Sequence, residues 1–326
     1  LKRVNIKDIE ALKYLEFDLY NERGKLICPK GTEMTPGKVL QLSYIKLFRT
    51  QDDPSTVVTT EIRPSTEESL ELDDVVEEIV ENDINDIPEE PEDSESKIDQ
   101  QVRREVLAST RGFINDIESG KTPDIAICEV TRDKLVEEVA EKIDEVDYLG
   151  QLRMFDEYTY SHNVNVSALS VALGLQIGLD EKQIKDLALA ALLHDIGKMK
   201  IPKEVLNKPG RLTDEEFKIM KLHAPLGAKI IKDELKLSSI IYRVALEHQE
   251  RYSGSGYPRG IKMDEISLYA QICAIADVYD ALCSKRVYKP ARTSQESIKI
   301  MLSEGSKSFN PGLLYKFIHM CNYSDS

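Results

Sequence analysis

The chain has 326 residues, 41% of them apolar, with 58 acids against 43 bases for a formal net charge of −15. No apolar run approaches the roughly 20 residues that a membrane-spanning helix needs, and the length suits two domains, each with its own core. The charge is local: residues 61–100 hold 17 acids and two bases, Arg63 and Lys97, so the remainder balances and offers no basic face for non-specific DNA or RNA binding.

The chain begins with Leu1, which points to a trimmed start and leaves a leader or anchor ahead of it open. Five cysteines (Cys28, Cys128, Cys273, Cys283 and Cys321) are scattered without a CxxC pair. That usage suits reduced thiols in a cytoplasm rather than a disulfide frame or a zinc ribbon.

Residues 1–60 read as a small α+β sensory or regulatory domain. "YLEFDLYNERGKLICPKGTEMT" (14–35) alternates, turns at Asn-Glu-Arg-Gly and resumes, which predicts a β-hairpin. "TPGKVLQLSYIKLFRT" (35–50) continues as a short helix and then a strand. Nothing in this part has the residue types of an active site. Residues 61–100 are an acidic linker, extended by its prolines and its charge run. A short helix stays open there, because Leu70, Leu72, Val75, Val76, Ile79 and Val80 cluster at helical spacing.

Residues 101–326 keep a helical period. Amphipathic helices are expected over 101–119 and 132–147, separated by a Gly-Lys-Thr-Pro turn. Apolar helices follow over 164–179 and 180–198, then one over 212–232 that opens with a capping box, Thr213 and Glu216. Another over 238–250 runs into the Gly-rich loop "RYSGSGYPRG", and helices over 266–284, 294–305 and 312–323 close the chain. The fold class is mainly α: a helical bundle preceded by a small α+β domain, with a bundle core able to house a metal site.

Four of the five histidines fall on four successive predicted helices. His162 begins one, His194 ends the next in "ALLHDIGKMKIP", His223 sits mid-helix, and His248 ends the helix before the Gly-rich loop. His319, in the last helix, has no acidic neighbour and reads as an ordinary histidine. Asp277 closes "ISLYAQICAIA", nine of whose eleven residues are apolar, and an ionised carboxylate there needs a cation or a donor network. Asp280, one turn on, can join the set or hydrogen-bond a ligand. Asp195, beside His194, has two oxygens and can bridge two ions. Gly197 is expected to loosen the helix end so that Lys198 turns toward the same pocket. Imidazoles and carboxylates without a thiolate suit Fe, Mn, Zn or Ni, and two ions about 3.5–4 Å apart can clamp a phosphoryl displacement.

"HDIGK", "KPGRLTDEE", "HQERYSGSGYP", "ADVYDAL" and "KRVYKPARTS", in this order and spacing, resemble the HD-GYP domain, the cyclic di-GMP phosphodiesterase branch of the HD superfamily. The resemblance covers about residues 125–320. It implies a helical HD-GYP domain that hydrolyses cyclic di-GMP, or a related cyclic dinucleotide, to pGpG and onward to GMP, with no DNA, RNA or membrane partner and with a homodimer left open. It implies the metal ligands His162, His194, Asp195, His223, His248 and Asp277, and the catalytic residues Lys198 and Asp195. Substrate contacts would come from Lys198, Gly256, Tyr257, Arg286 and Lys289.

Two departures matter. The family has two consecutive histidines where this chain has His248 and then Gln249. Members with three metals carry a Glu four residues before the first histidine, where this chain has Tyr158, with Glu157 one position off. Both favour two divalent ions, iron or manganese, over three. Gln249 also motivates an alternative, a degenerate domain that senses cyclic di-GMP with little turnover.

Overall fold

The computed structural model describes residues 2–4, 7–10, 12–20, 26–34, 47–49, 96–121, 123–143, 149–153, 158–284 and 292–320. The chain divides into two compact units, 1–85 and 86–326.

In the first unit, β1 (Lys2–Val4), β2 (Leu19–Tyr20), β3 (Leu26–Cys28) and β4 (Leu47–Arg49) form an antiparallel sheet in the order β1-β4-β2-β3. The expected hairpin is β2 with β3, Leu19 opposite Cys28, and its register shifts between Leu19 and Tyr20. β4 supplies the further strand, pairing with β1 and, through Phe48, with Tyr20. Helix α1 (Lys7–Glu10) was not foreseen. Val4, Ile9, Leu15, Phe17, Leu19, Cys28 and Met34 form a separate small core. The helix expected after Thr35 and the helical spacing within 61–95 lie outside the described residues.

The second unit is helical. Asp99 caps α2 (Gln100–Glu118), accepting from the backbone of Gln101 and Val102, and its own N–H donates to Glu138. Lys97 N–H donates to Gln151 O, so the last residues of the acidic stretch pack on this unit. Helix α3 (Ile125–Lys142) starts seven residues before the expected Arg132. Asp124 caps it, and "IAICEV" carries no clear 3.6-residue period by which to be read.

Helices α4 (Tyr158–Gln176) and α5 (Glu181–Leu192) pack closely, with α10 (Leu268–Cys283) against α4 and α9 (Ser239–Glu247) against α5. From Ser161 to Leu173 every residue of α4 is buried, as suits a helix walled in on all sides. Between these helices run a 3₁₀ turn (Ile196–Lys200), α6 (Lys203–Leu206), α7 (Asp214–Lys221), α8 (His223–Lys229) and a π turn (Ile230–Glu234). Helices α11 (Ser294–Ser308) and α12 (Pro311–Ile318) complete the unit. Among the described residues no helix is long and apolar enough to cross a membrane.

The helix expected over 212–232 is broken at Leu222, which places His223 at a helix start rather than mid-helix. Pro225 lacks the N–H that would continue the ladder of α7, so the chain restarts its turn there. The capping box at Thr213 and Glu216 forms as expected.

Gly197 has a different task from the one expected of it. A Cβ there would lie 1.9 Å from His223 O and 2.5 Å from Gly227 N, so glycine is what lets the turn after His194 meet α8 backbone to backbone. Replacing Gly197 with Ala is expected to destabilise the fold by about 3 kcal/mol or more, since backbone cannot yield as a side chain can. Gly112→Ala, exposed within α2 with nothing within 4 Å of its Cβ, should instead stabilise by about 0.5–1 kcal/mol. Paired denaturant titrations check both signs.

Candidate metal centre

Three of the four imidazoles are aimed by the same device. His194 Nδ1 donates to Ala191 O at 2.7 Å, His223 Nδ1 to Met220 O at 2.7 Å and His248 Nδ1 to Ala245 O at 3.0 Å. Each acceptor lies three residues back, where a helix end or turn leaves a carbonyl open. His162 Nδ1 is held instead by Asp280 Oδ2 at 2.8 Å. With Nδ1 engaged on all four rings, each turns its Nε2 inward.

Those four Nε2 atoms surround the carboxylate of Asp195. Oδ2 faces His194 at 3.4 Å and His162 at 3.7 Å, while Oδ1 faces His223 at 3.5 Å and His248 at 3.6 Å. Asp277 Oδ1 lies 3.2 Å from His162 Nε2. Lys198 Nζ bonds Asp195 Oδ2 from the more open side. Thus the structure brings together His162, His194, Asp195, His223, His248, Asp277 and Lys198.

Such a cluster fits a cation. His194 Nε2 and Asp195 Oδ1 are buried with no hydrogen-bond partner, and His223 Nε2 and His248 Nε2 face each other at 3.2 Å. Buried polar atoms are expensive to leave unsatisfied, and an ion satisfies several together. Two sets have ligand atoms close enough to share an ion, His162 with His194 and Asp277, and His194 with Asp195 and His248. Cys273, one turn before Asp277, adds no thiolate: burial, with Asp277 and Asp195 nearby, pushes its thiol well above the ordinary value.

The charges are set by neighbours. Burial pushes the Asp195 and Asp277 carboxyls up, but Lys198 and His194 beside the first, and His162 beside the second, hold both well below the usual range. Burial likewise opposes a charge on His162, yet Asp277 and Asp280 raise it to about 9. His223, desolvated and close to His248 and Lys198, falls to about 4 despite Asp195.

Asp280 hydrogen-bonds His162, one of the two roles expected of it. It is fully buried, and it accepts from His162, Arg153 Nε at 2.8 Å, Asn165 Nδ2 at 2.9 Å and Ser284 Oγ at 3.2 Å. Arg153 and Asn165 were not anticipated. Asn165 has a sequence signal, lying three residues after His162 on the same helix face. Arg153 has none, since 127 residues separate it from Asp280.

The Gly-rich loop is clamped to the histidine helix. A Cβ on Gly256 would lie 2.3–2.5 Å from backbone atoms of Arg251, Glu250 and Gln249, and Tyr257 N–H donates to Gln249 O. Buried Glu247 accepts from Arg243, Arg259 and the Ser267 N–H, joining the loop to the start of α10. The Tyr257 ring then stands 6.2 Å from that of His223. Burial, with Asp195 and Asp277 nearby, raises its phenol, which stays protonated at neutral pH. Gln249 donates to Asp277 Oδ2 at 3.2 Å and so stands beside the cluster as a side-chain amide.

Arg286, Lys289 and Glu157 lie outside the described residues, and of Tyr158 only its place at the start of α4 is described. His319 lies tilted against Tyr315 at the end of α12, with ring centroids 4.2 Å apart.

A family model described as an HD domain matches residues 151–313. A cyclic di-GMP phosphodiesterase of Pseudomonas aeruginosa is 35% identical over 238 residues, covering 71% of this chain and 57% of that protein. A cyclic di-GMP phosphodiesterase of Thermotoga maritima is 37% identical over 179 residues, covering 53% and 49%. The chain thus spans about half the length of the curated relatives it matches. Among solved structures, an HDG"Y"P protein of Bdellovibrio bacteriovorus superposes with a TM-score of 0.54 at 17% identity, covering 97% of both chains, a likeness of fold.

Two outcomes follow from this geometry. In the metal-free protein, protonated His162 stabilises the fold fully below pH 6.5, an advantage lost as pH rises toward about 9. His223 stays neutral in the fold while the unfolded chain takes up a proton there as pH falls from 6.5 toward about 4, which also destabilises. Melting temperature should therefore peak near pH 6.5 and fall on both sides, each limb worth about 3 kcal/mol. Melts in chelator across that range test it, and a flat alkaline limb goes against it. Separately, Asp280→Asn should weaken metal retention about 10–100-fold, as judged by competition with a chelator.

Proposed function

Because the chain belongs to the HD domain family and carries the motifs of its HD-GYP branch, we propose that it is a metal-dependent phosphodiesterase that hydrolyses cyclic di-GMP to pGpG. The carrying observation is the Asp195 carboxylate, with two inward-facing imidazoles at each oxygen and a buried Oδ1 that has no partner. We assign His162, His194, Asp195, His223, His248 and Asp277 as the residues that would hold two divalent ions, iron or manganese. Such ions, when bound, supply Lewis acidity toward phosphoryl oxygens and lower the pKa of water.

The chain's own groups do the rest. Lys198, partly exposed at the open side of Asp195, is placed to hold a non-bridging phosphate oxygen as a point charge. Tyr257, protonated and clamped by the Gly256 contact, donates to a second oxygen. Arg153 and Asp280 keep the His162 ring from turning. Burial of the donor set excludes water from all but the face that Lys198 borders. Residues 1–60 would regulate this domain through the 61–100 stretch, Arg286 and Lys289 would contact the ligand, and the setting would be cytoplasmic.

Gln249 favours one second reading, a sensor that binds the dinucleotide with little turnover, because an amide replaces an imidazole beside Asp277. Protein loaded anaerobically with iron or manganese and mixed with cyclic di-GMP separates the two. Release of pGpG is expected, abolished by Asp195→Ala and slowed about 100-fold by Lys198→Met. Tight binding without product at either metal would favour the sensor.

A further inference from the structure

Beside the cluster, an aromatic strip leads outward. Tyr257, whose ring is 6.2 Å from that of His223, is edge-on to Phe217 at 6.2 Å. Phe217 is 44% exposed, on a short helix that otherwise carries Asp214, Glu215, Glu216, Lys218 and Lys221 with half-buried Ile219 and Met220. Four residues on, Lys221 projects from the same face and lies over both rings, with Nζ 4.7 Å from the Phe217 centroid and 5.2 Å from that of Tyr257. Among the described residues no carboxylate pairs with Lys221. A lone exposed ring would need no explanation. This one is continuous, through Tyr257, with the histidine cluster, and it carries an uncompensated cation.

We propose that Phe217 and Lys221 form a shelf that seats one purine of a cyclic dinucleotide beside the metal centre. The inference rests on the substrate class proposed above and deepens it. Phe217 stacks on the base, and stacking is tolerant of which base is present. Lys221 supplies discrimination: guanine offers two acceptors, O6 and N7, on the edge that a lysine reads, whereas adenine offers N7 beside an N6 amino donor. The shelf thus favours guanine over adenine at that position.

The chain has no tryptophan, so Phe217→Trp places a single fluorophore on the shelf. Mixing this metal-loaded variant with cyclic di-GMP in a stopped-flow instrument should quench its emission within the first turnover, with cyclic di-AMP effective only at higher concentration. Val130→Trp, 57% exposed on α3, serves as a control that should not respond. Metal-loaded Phe217→Ala should show KM for cyclic di-GMP raised about tenfold with kcat within about twofold, and Phe217→Trp should restore KM. Quenching without turnover would overturn the hydrolase reading and leave the shelf standing. Turnover without quenching, or an equal response from Val130→Trp, would overturn the shelf.

Discussion

The organisation of the helical unit follows from one electrostatic constraint: the Asp195 carboxylate and four imidazole nitrogens occupy a common buried volume, and lone pairs held that close suit a shared cation. His223 Nε2 and His248 Nε2 face each other at 3.2 Å, and Asp195 Oδ1 has no partner of its own. The helices supply the rigidity that keeps the rings from relaxing apart. A carbonyl at the end of a helix or in a turn fixes each of three rings, and the buried Asp280 fixes the fourth.

Close backbone approach is the second constraint. Gly197 lets the turn after His194 press against the start of α8, which delivers His223, and Gly256 lets the loop fold back on the residues that follow His248. Both glycines act through the absence of a Cβ. Pro225 makes a complementary contribution by ending α7 and allowing His223 to begin a new turn. Three residues without polar side chains thus decide where the imidazoles stand.

The polar atoms around the centre fall into a layered order. Imidazoles and carboxylates face inward, Asp280 with Arg153, Asn165 and Ser284 forms an outer hydrogen-bonded layer behind His162, and Glu247 ties the loop to α10. The outer carboxylate is fully buried, and removing one partner from such a group costs about 3–5 kcal/mol, which explains why it carries four donors. On the open side, Lys198 and Tyr257 offer a cation and a neutral donor.

Much of this was legible in the sequence. Helical periodicity predicted the α-rich second unit, and the composition of "ALLHDIGKMKIP" and "ISLYAQICAIA" marked His194, Asp195 and Asp277 as charged groups in apolar surroundings. Placement on four successive predicted helices brought His162, His194, His223 and His248 together as a set, and the resemblance in motif order implied their role. The early start of α3 was not legible, because a capping Asp ahead of an aperiodic stretch leaves no 3.6-residue signal. Nor was the true reason for Gly197, since a residue's missing Cβ acquires meaning only when another backbone lies against it. Which oxygen of Asp195 faces which ring, that Asp280 holds the His162 ring, and that Arg153 supports it across 127 residues were decided by tertiary packing alone. Local sequence reports periodicity and composition, whereas distances between segments remote in the chain are set only when helices pack.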